Sequence, residues 1–284
     1  MFKRFKTAIF LAILNGLARL PFASLPFVGW FLGWLNYLLS PKTAKTMQEN
    51  LRASHLFNDE LTFKKILHAN IQANGMGLLE TLHIWRKPYA KSLALVQQCS
   101  GWAAVEDAIK QQKGIIFLTP HLGCYEITSL YYAQFAPITV MFRPPRQPWL
   151  LPLIMQGRQR GQVTLAPANS HGIKQLLGAL KRGEAIGILP DQAPLAGEGE
   201  GAPFFGKEAD TMTLASKLAN KTNAAIFMAF GERLSNAQGY HVHIKALADG
   251  AIATPALLNT AIEVQIAQCP SQYLWRYNRY KIRR

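Results

Sequence analysis

The sequence predicts an α/β fold: a mostly parallel central sheet flanked by helices, preceded by an N-terminal helical segment associated with a membrane. Three observations carry this. Short apolar runs alternate with helix-patterned stretches from residue 114 onward. The first 48 residues contain no acid and are dominated by apolar side chains. The chemically capable residues in the alternating region fall just after the apolar runs, where ligands bind in open α/β sheets.

The N-terminal segment comes first. Lys3, Arg4 and Lys6 lead into "TAIFLAILNGLARLPFASLPFVGWFLGWLNYLLS". A secretory leader has a shorter apolar core and a small-residue cleavage site, and no A-x-A site is present. A clean span needs about 20 apolar residues, and Arg19, Pro21 and Pro26 interrupt this one. Two forms remain, a tilted or broken span and a helical pair lying in the interface. Trp30, Trp34 and Tyr37 suit an interfacial position, where a ring is apolar and its edge is wet. Residues 1–40 are therefore read as the anchor and 41–284 as the α/β domain. The positive-inside tendency places the N-terminus in the cytoplasm.

Residues 42–113 read mostly as helix, one of them opening on a cap at Asn58 or Asp59. The strands are read at 115–119, 138–142, 163–166, 185–189, 224–230 and 240–247. The first, "IIFLT", is a short apolar run, as in a strand buried on both faces. The stretches between the first five have helical periodicity, and this alternation is the signature of parallel pairing.

Composition narrows the function. The 284 residues carry 31 Lys+Arg against 16 Asp+Glu, a net charge of +15. Such a surface seeks a polyanion. No zinc-finger spacing, RNP-like aromatic motif or zippered basic helix is present, which argues against nucleic acid. Cys99, Cys124 and Cys269 are widely spaced, without a disulfide framework or zinc pattern, and suit a reducing compartment. "GEGEG" at 197–201 lacks a following Walker lysine and reads as a mobile loop. His241 and His243 share one face of a strand, but no carboxylate or cysteine cluster in the sequence completes a ligand set, so no metal is expected. The C-terminal "RYNRYKIRR", with its interleaved tyrosines, suits an anionic membrane surface.

"TPHLGCYEIT", residues 119–128, holds the chemistry. His121 and Glu126 follow the first strand. On one continuous helix the two would stand about 140° apart and not meet. With His121 in the loop and Glu126 in the first helical turn, the carboxylate can reach back, and Gly123 gives the turn its freedom. The pair then reads as a base and its orienter. The plainer alternative is a helix-capping glutamate beside an unrelated histidine. No G-x-S-x-G or protease cysteine supplies a nucleophile, so the substrate supplies it, for instance as a hydroxyl. Arg143, Arg158 and Arg160 lie near enough in sequence to hold phosphate or an oxyanion. Asp191 follows the 185–189 strand and joins His121, Glu126 and Arg143 on one edge.

These residues resemble a known family. "HLGCYE" is similar to the H-x-G-x-x-E form of the H-x4-D/E motif of the lysophospholipid acyltransferase superfamily. "MFRPPRQP", "GRQR", "GILPDQAPLAGEGEGAPFFGKEADTMTLASKLA" and "PSQYLWRYNRYK" resemble, in order, the later blocks of the lipid A late (secondary) acyltransferases, most like the lauroyl/myristoyl type. The resemblance spans the chain. It implies transfer of a fatty acyl group from an acyl carrier protein thioester to a hydroxyl of a 3-hydroxyacyl chain on a lipid A precursor, at the cytoplasmic face of the bacterial inner membrane. It implies His121, Glu126 and Arg158 as catalytic residues, and Arg143, Arg160, Asp191 and Gln192 as substrate-binding. It implies no cofactor, and as partners an acidic acyl carrier protein, a phosphorylated lipid A precursor and the membrane. Related readings are an acyltransferase for another glycolipid or aminolipid, and a non-catalytic basic membrane-binding protein on the same fold. One departure stands out: relatives commonly read W-x-H-R-R near the C-terminus, where this chain has "WRYNRY".

Overall fold

A computed structural model describes residues 2–281. Arg283 and Arg284 of the basic tail, and the side chains of Lys3, Arg4 and Lys6, lie outside the described residues. The chain opens with five helices: α1 Phe2–Ala18, α2 Leu25–Leu39, α3 Pro41–Ala53, α4 Glu60–Arg86 and α5 Tyr89–Leu93. There follow β1 Val96–Ser100, α6 Trp102–Lys110, β2 Ile115–Leu118, α7 Tyr125–Tyr132, β3 Ile138–Phe142, α8 Leu151–Arg158, β4 Val163–Pro167, α9 Ser170–Lys181 and β5 Ala185–Ile188. A hairpin of β6 Gly199–Phe204 and β7 Lys207–Met212 leads to α10 Leu214–Thr222, β8 Ala225–Arg233, β9 Tyr240–Ala246 and α11 Pro255–Gln268.

Seven strands form one sheet in the order β1-β9-β8-β2-β5-β3-β4. All neighbours pair in parallel except β8 with β9. β2 and β5 are buried along their whole length, which is why their sequences, "IIFL" and "AIGI", run apolar without alternation. Helices cover both faces. One core packs Ile116, Leu118, Ile186 and Ile188 against α3, α4, α9, α10 and α11. The other packs Phe117, Ile138 and Val140 against α6 and α7.

The sequence reading missed β1, whose "VQQCS" at the sheet edge is mostly exposed and shows no apolar run. It also took 197–201 for a mobile loop. Gly199–Gly201 instead begin β6, paired in register with Asp210–Met212 of β7. Glycine-rich composition hid a hairpin whose partner strand, "KEADTM", is polar.

α4 is capped by Asp59, whose side chain accepts the Thr62 amide N–H. It carries α2 on its flank through a glycine contact. A Cβ on Gly75 would stand 1.9 Å from the Gly29 carbonyl oxygen, and one on Gly33 would stand 2.2 Å from that of Ile71. The two backbones therefore touch, and only glycine permits it. The opposite side of α2 is bare: Phe27, Trp30, Phe31, Leu35, Leu38 and Leu39 are exposed. Trp34 and Tyr37, expected in a membrane interface, instead turn inward. Trp34 lies edge-on to His68 and Tyr37, and both pack on the main core.

Candidate active site

β2 and β5 are parallel neighbours with Leu118 opposite Ile188. His121 stands three residues beyond the first and Asp191 three beyond the second, so equal overhangs bring them together. The Asp191 carboxylate accepts the His121 backbone N–H through Oδ2 at 2.9 Å and meets the ring Nδ1 through Oδ1 at 2.8 Å. An ionised carboxylate only accepts, so Nδ1 carries the proton and Nε2 presents its lone pair. Gln192 places its amide nitrogen 3.2 Å from Nε2. Asp191 is 2 % exposed. Burial pushes its carboxyl up, but the charge of His121 and the hydrogen bonds from its ring and amide outweigh burial and hold the group below the ordinary aspartate range.

Glu126 does not reach back to His121, contrary to the expectation from spacing. It occupies the first turn of α7 as expected, but its carboxylate accepts from Arg158 Nε and Nη2 and from Trp85 Nε1. The physical reason is competition. A guanidinium presents two parallel donors that match both carboxylate oxygens, and Asp191 already holds the imidazole. Arg158, at the end of α8, is mostly buried. Burial works to lower its pKa, and Glu126 outweighs that, so the guanidinium stays charged. Its Nη1 has no hydrogen-bond partner among the described residues.

The loop between β2 and α7 is built to fixed tolerances. Gly123 has φ +59°, and a Cβ there would lie 2.1 Å from the Gly231 carbonyl oxygen. The Cys124 amide donates to that same carbonyl at 2.7 Å, and the Gly123 amide donates to Gln272 O at 3.1 Å. Arg233 donates to Gly123 O at 2.9 Å while paired to the buried Glu80 of α4. Leu274 N–H donates to His121 O at 3.1 Å. Sequence reasoning passed over Glu80, Arg233 and Gln272. The one signal was Glu80 itself, an acid inside the apolar helix "GLLETLHIW".

The C-terminal block closes the other side. Tyr277 Oη accepts the Ala193 amide N–H at 3.0 Å, two residues past Asp191. The reading of the tail as a membrane-facing basic surface fails at Arg279. It is 2 % exposed and donates to Asp210 O, Thr211 Oγ1 and Asn259 Oδ1. Arg160 is also reassigned. Its guanidinium donates to Gly157 O at 2.7 Å and Lys87 O at 2.9 Å, so it fastens the end of α8 to the α4–α5 junction and does not line the cavity described next.

A cavity of about 250 Å³ opens at His121, Tyr125, Arg143, Arg158 and Gln192 and runs under the sheet. Its walls are apolar: Phe117, Val140, Leu165, Ala229, Val242 and Ile244, with Ile138 and Val163 at the amino ends of β3 and β4. From Phe142 to Ile138 the strand rise gives a depth of about 13 Å. The site thus joins an imidazole held by a buried carboxylate, two cations and a narrow apolar tunnel. That set can deprotonate a hydroxyl beside a long apolar chain.

Comparison with known proteins agrees with this chemistry. Residues 1–282 match the family described as bacterial lipid A biosynthesis acyltransferase. The chain is 26% identical over 271 residues to a lipid A biosynthesis lauroyltransferase of Escherichia coli, covering 93% of this chain and 88% of that protein. It is 24% identical over 270 residues to a lipid A biosynthesis palmitoleoyltransferase of the same organism, covering 93% and 87%. Over 182 residues, 62% of this chain and 56% of the relative, it is 28% identical to a lipid A biosynthesis acyltransferase of Haemophilus influenzae.

Proposed function

This chain belongs to the bacterial lipid A biosynthesis acyltransferases, and we propose that it moves a fatty acyl group from an acyl carrier protein thioester to a hydroxyl of a 3-hydroxyacyl chain on a phosphorylated lipid A precursor. The observation that carries this reading is the His121–Asp191 pair at the mouth of an apolar tunnel. The acyl chain of the donor lies in the tunnel with its thioester carbonyl at the mouth. The acceptor hydroxyl takes the place of the Gln192 amide at His121 Nε2, which accepts its proton as oxygen attacks the carbonyl carbon. Asp191 stabilises the imidazolium that forms. The tetrahedral oxyanion is met by the free Nη1 of Arg158. Collapse breaks the C–S bond, and His121 returns the proton to the leaving thiolate. Arg143, exposed at the mouth, meets the acceptor phosphate, and the net positive surface suits an acidic carrier.

The test is transfer in vitro from acyl carrier protein thioesters of defined length to a purified lipid A precursor, read by mass spectrometry. Absence of acylated product with every donor, alongside an active relative as control, overturns the reading.

The tunnel floor makes a further expectation concrete. Ile138 and Val163 are register partners at its inner end. Ile138→Phe adds bulk there and is expected to shift the preferred donor towards shorter chains while leaving transfer from the shortest donor intact. Measuring relative kcat/KM across a donor series checks this, and an unchanged preference removes these residues from the floor.

The anchor is read as interfacial. α2 cannot be surrounded by lipid, because its glycine face is closed on α4, while its bare face carries the aromatic and leucine side chains that enter an interface. The protein then works at the inner membrane with its site on the cytoplasmic side. The triple substitution Phe27→Ser, Phe31→Ser and Leu38→Ser is expected to release the protein from vesicles containing anionic lipid in a flotation assay. Wild-type flotation by this variant counts against the anchor.

A further inference from the structure

The two histidines that share a face of β9 acquire in three dimensions the carboxylate that their sequence surroundings lack. Glu232 of β8 lies directly opposite His241 in the antiparallel ladder, and His243 is two residues further on. Opposed and i+2 positions project to one side of a sheet. The contacts bear this out. His243 Nε2 lies 2.7 Å from Glu232 Oε2, and the two imidazole rings have centroids 3.8 Å apart. One ligand atom from each of the three residues falls within 4.8 Å of the others. Phe230 stacks on His243 at 4.6 Å with an interplanar angle of 11°, which fixes that ring. Ser100 of the edge strand β1 holds the His241 ring through its hydroxyl at 2.7 Å.

We propose that Glu232, His241 and His243 form a binding site for a zinc-class divalent cation. Two imidazoles and one carboxylate are a borderline donor set. It suits zinc, nickel or copper and does not suit calcium or magnesium, which take oxygen ligands. Tetrahedral zinc with ligands at about 2.1 Å separates its donor atoms by roughly 3.4 Å, so donor atoms now within 4.8 Å of one another draw together on binding. All three residues are half-buried, leaving the fourth position to water or the Ser100 hydroxyl. Val242 and Ile244, which alternate with these histidines, line the tunnel on the other face. The cation therefore sits behind the sheet, away from His121 and Asp191. Its role is to clasp the antiparallel pair β8–β9 beside the β1 edge, and it does not depend on the acyltransfer reading.

The experiment uses the untagged full-length chain, stripped with a chelator and titrated with zinc chloride in phosphate-free buffer by calorimetry. Absorption of the cobalt-substituted protein reports the geometry. One equivalent of zinc is expected to bind, with intense tetrahedral cobalt bands and a rise in Tm, since a ligand that binds only the folded state stabilises it. His241→Ala/His243→Ala is expected to weaken binding by at least about tenfold, and His171→Ala on α9 to leave it unchanged. Glu232→Gln, which keeps the shape of the side chain, gives the same loss should the double variant prove misfolded in the metal-free state. Absence of saturable binding to the wild type overturns the proposal and leaves a hydrogen-bonded cluster. Undiminished binding in both folded variants overturns it as well.

Discussion

Turnover of the His121→Ala protein is expected to fall at least about 100-fold, the low end for loss of a general base, with Tm close to that of the wild type. Asp191→Asn is expected to fall too, though no further than His121→Ala, because Asp191 acts through that ring. Asparagine presents an amide where the carboxylate stood. It can hold the ring in the wrong tautomer and no longer stabilises the imidazolium. Additivity separates an orienter from a bystander. The double variant His121→Ala/Asp191→Asn should be no slower than His121→Ala alone, because an orienter then has nothing left to orient. Glu126→Gln, which does not touch the imidazole, should slow the His121→Ala protein further. If Glu126→Gln instead adds nothing to His121→Ala while Asp191→Asn does, the orienter is Glu126 and the resting geometry is not the working one.

That contrast marks how far the sequence is legible. The parallel strands were readable because β2 and β5 are buried along their whole length and are written as apolar runs, while β3 and the edge strand β4 stay mainly apolar despite a threonine in each. The edge of the sheet that carries the chemistry followed from where those runs end. The order of strands did not follow. Periodicity says nothing about β2 lying beside β5, and without that adjacency Glu126, five residues away, looks a better partner for His121 than Asp191, seventy residues away. The supporting shell was hidden for a related reason. Glu80, Arg233 and Gln272 meet around Gly123 from three distant elements, and each alone resembles an ordinary polar residue. The arginines show the same limit. Arg143, Arg158 and Arg160 are alike in sequence, yet they are exposed at a mouth, paired in a wall and spent on backbone carbonyls.

The largest combined effect on stability and turnover is expected at Arg158. Arg158→Ala leaves the Glu126 carboxylate, 5 % exposed, with Trp85 as its remaining donor. Breaking a buried pair in this way costs about 3–5 kcal/mol. Denaturant unfolding should show that loss, and the pair variant Glu126→Gln/Arg158→Met should recover part of it, because no uncompensated charge remains. Turnover should not recover with it. If Nη1 meets the oxyanion, every variant lacking the guanidinium loses about 3–4 kcal/mol of transition-state stabilisation, seen in kcat with acceptor KM nearly unchanged. Arg158→Lys tests the shape of the group. Its charge still answers Glu126, so stability returns in part, but an ammonium lacks the fork that grips a carboxylate on one side and presents a further N–H on the other. Low kcat in a stable Arg158→Lys protein therefore supports the oxyanion role. A rise in acceptor KM at full kcat would move Arg158 to phosphate holding. Near-normal kinetics in Arg158→Lys and in Glu126→Gln/Arg158→Met would leave the pair as a structural strut between α7 and α8.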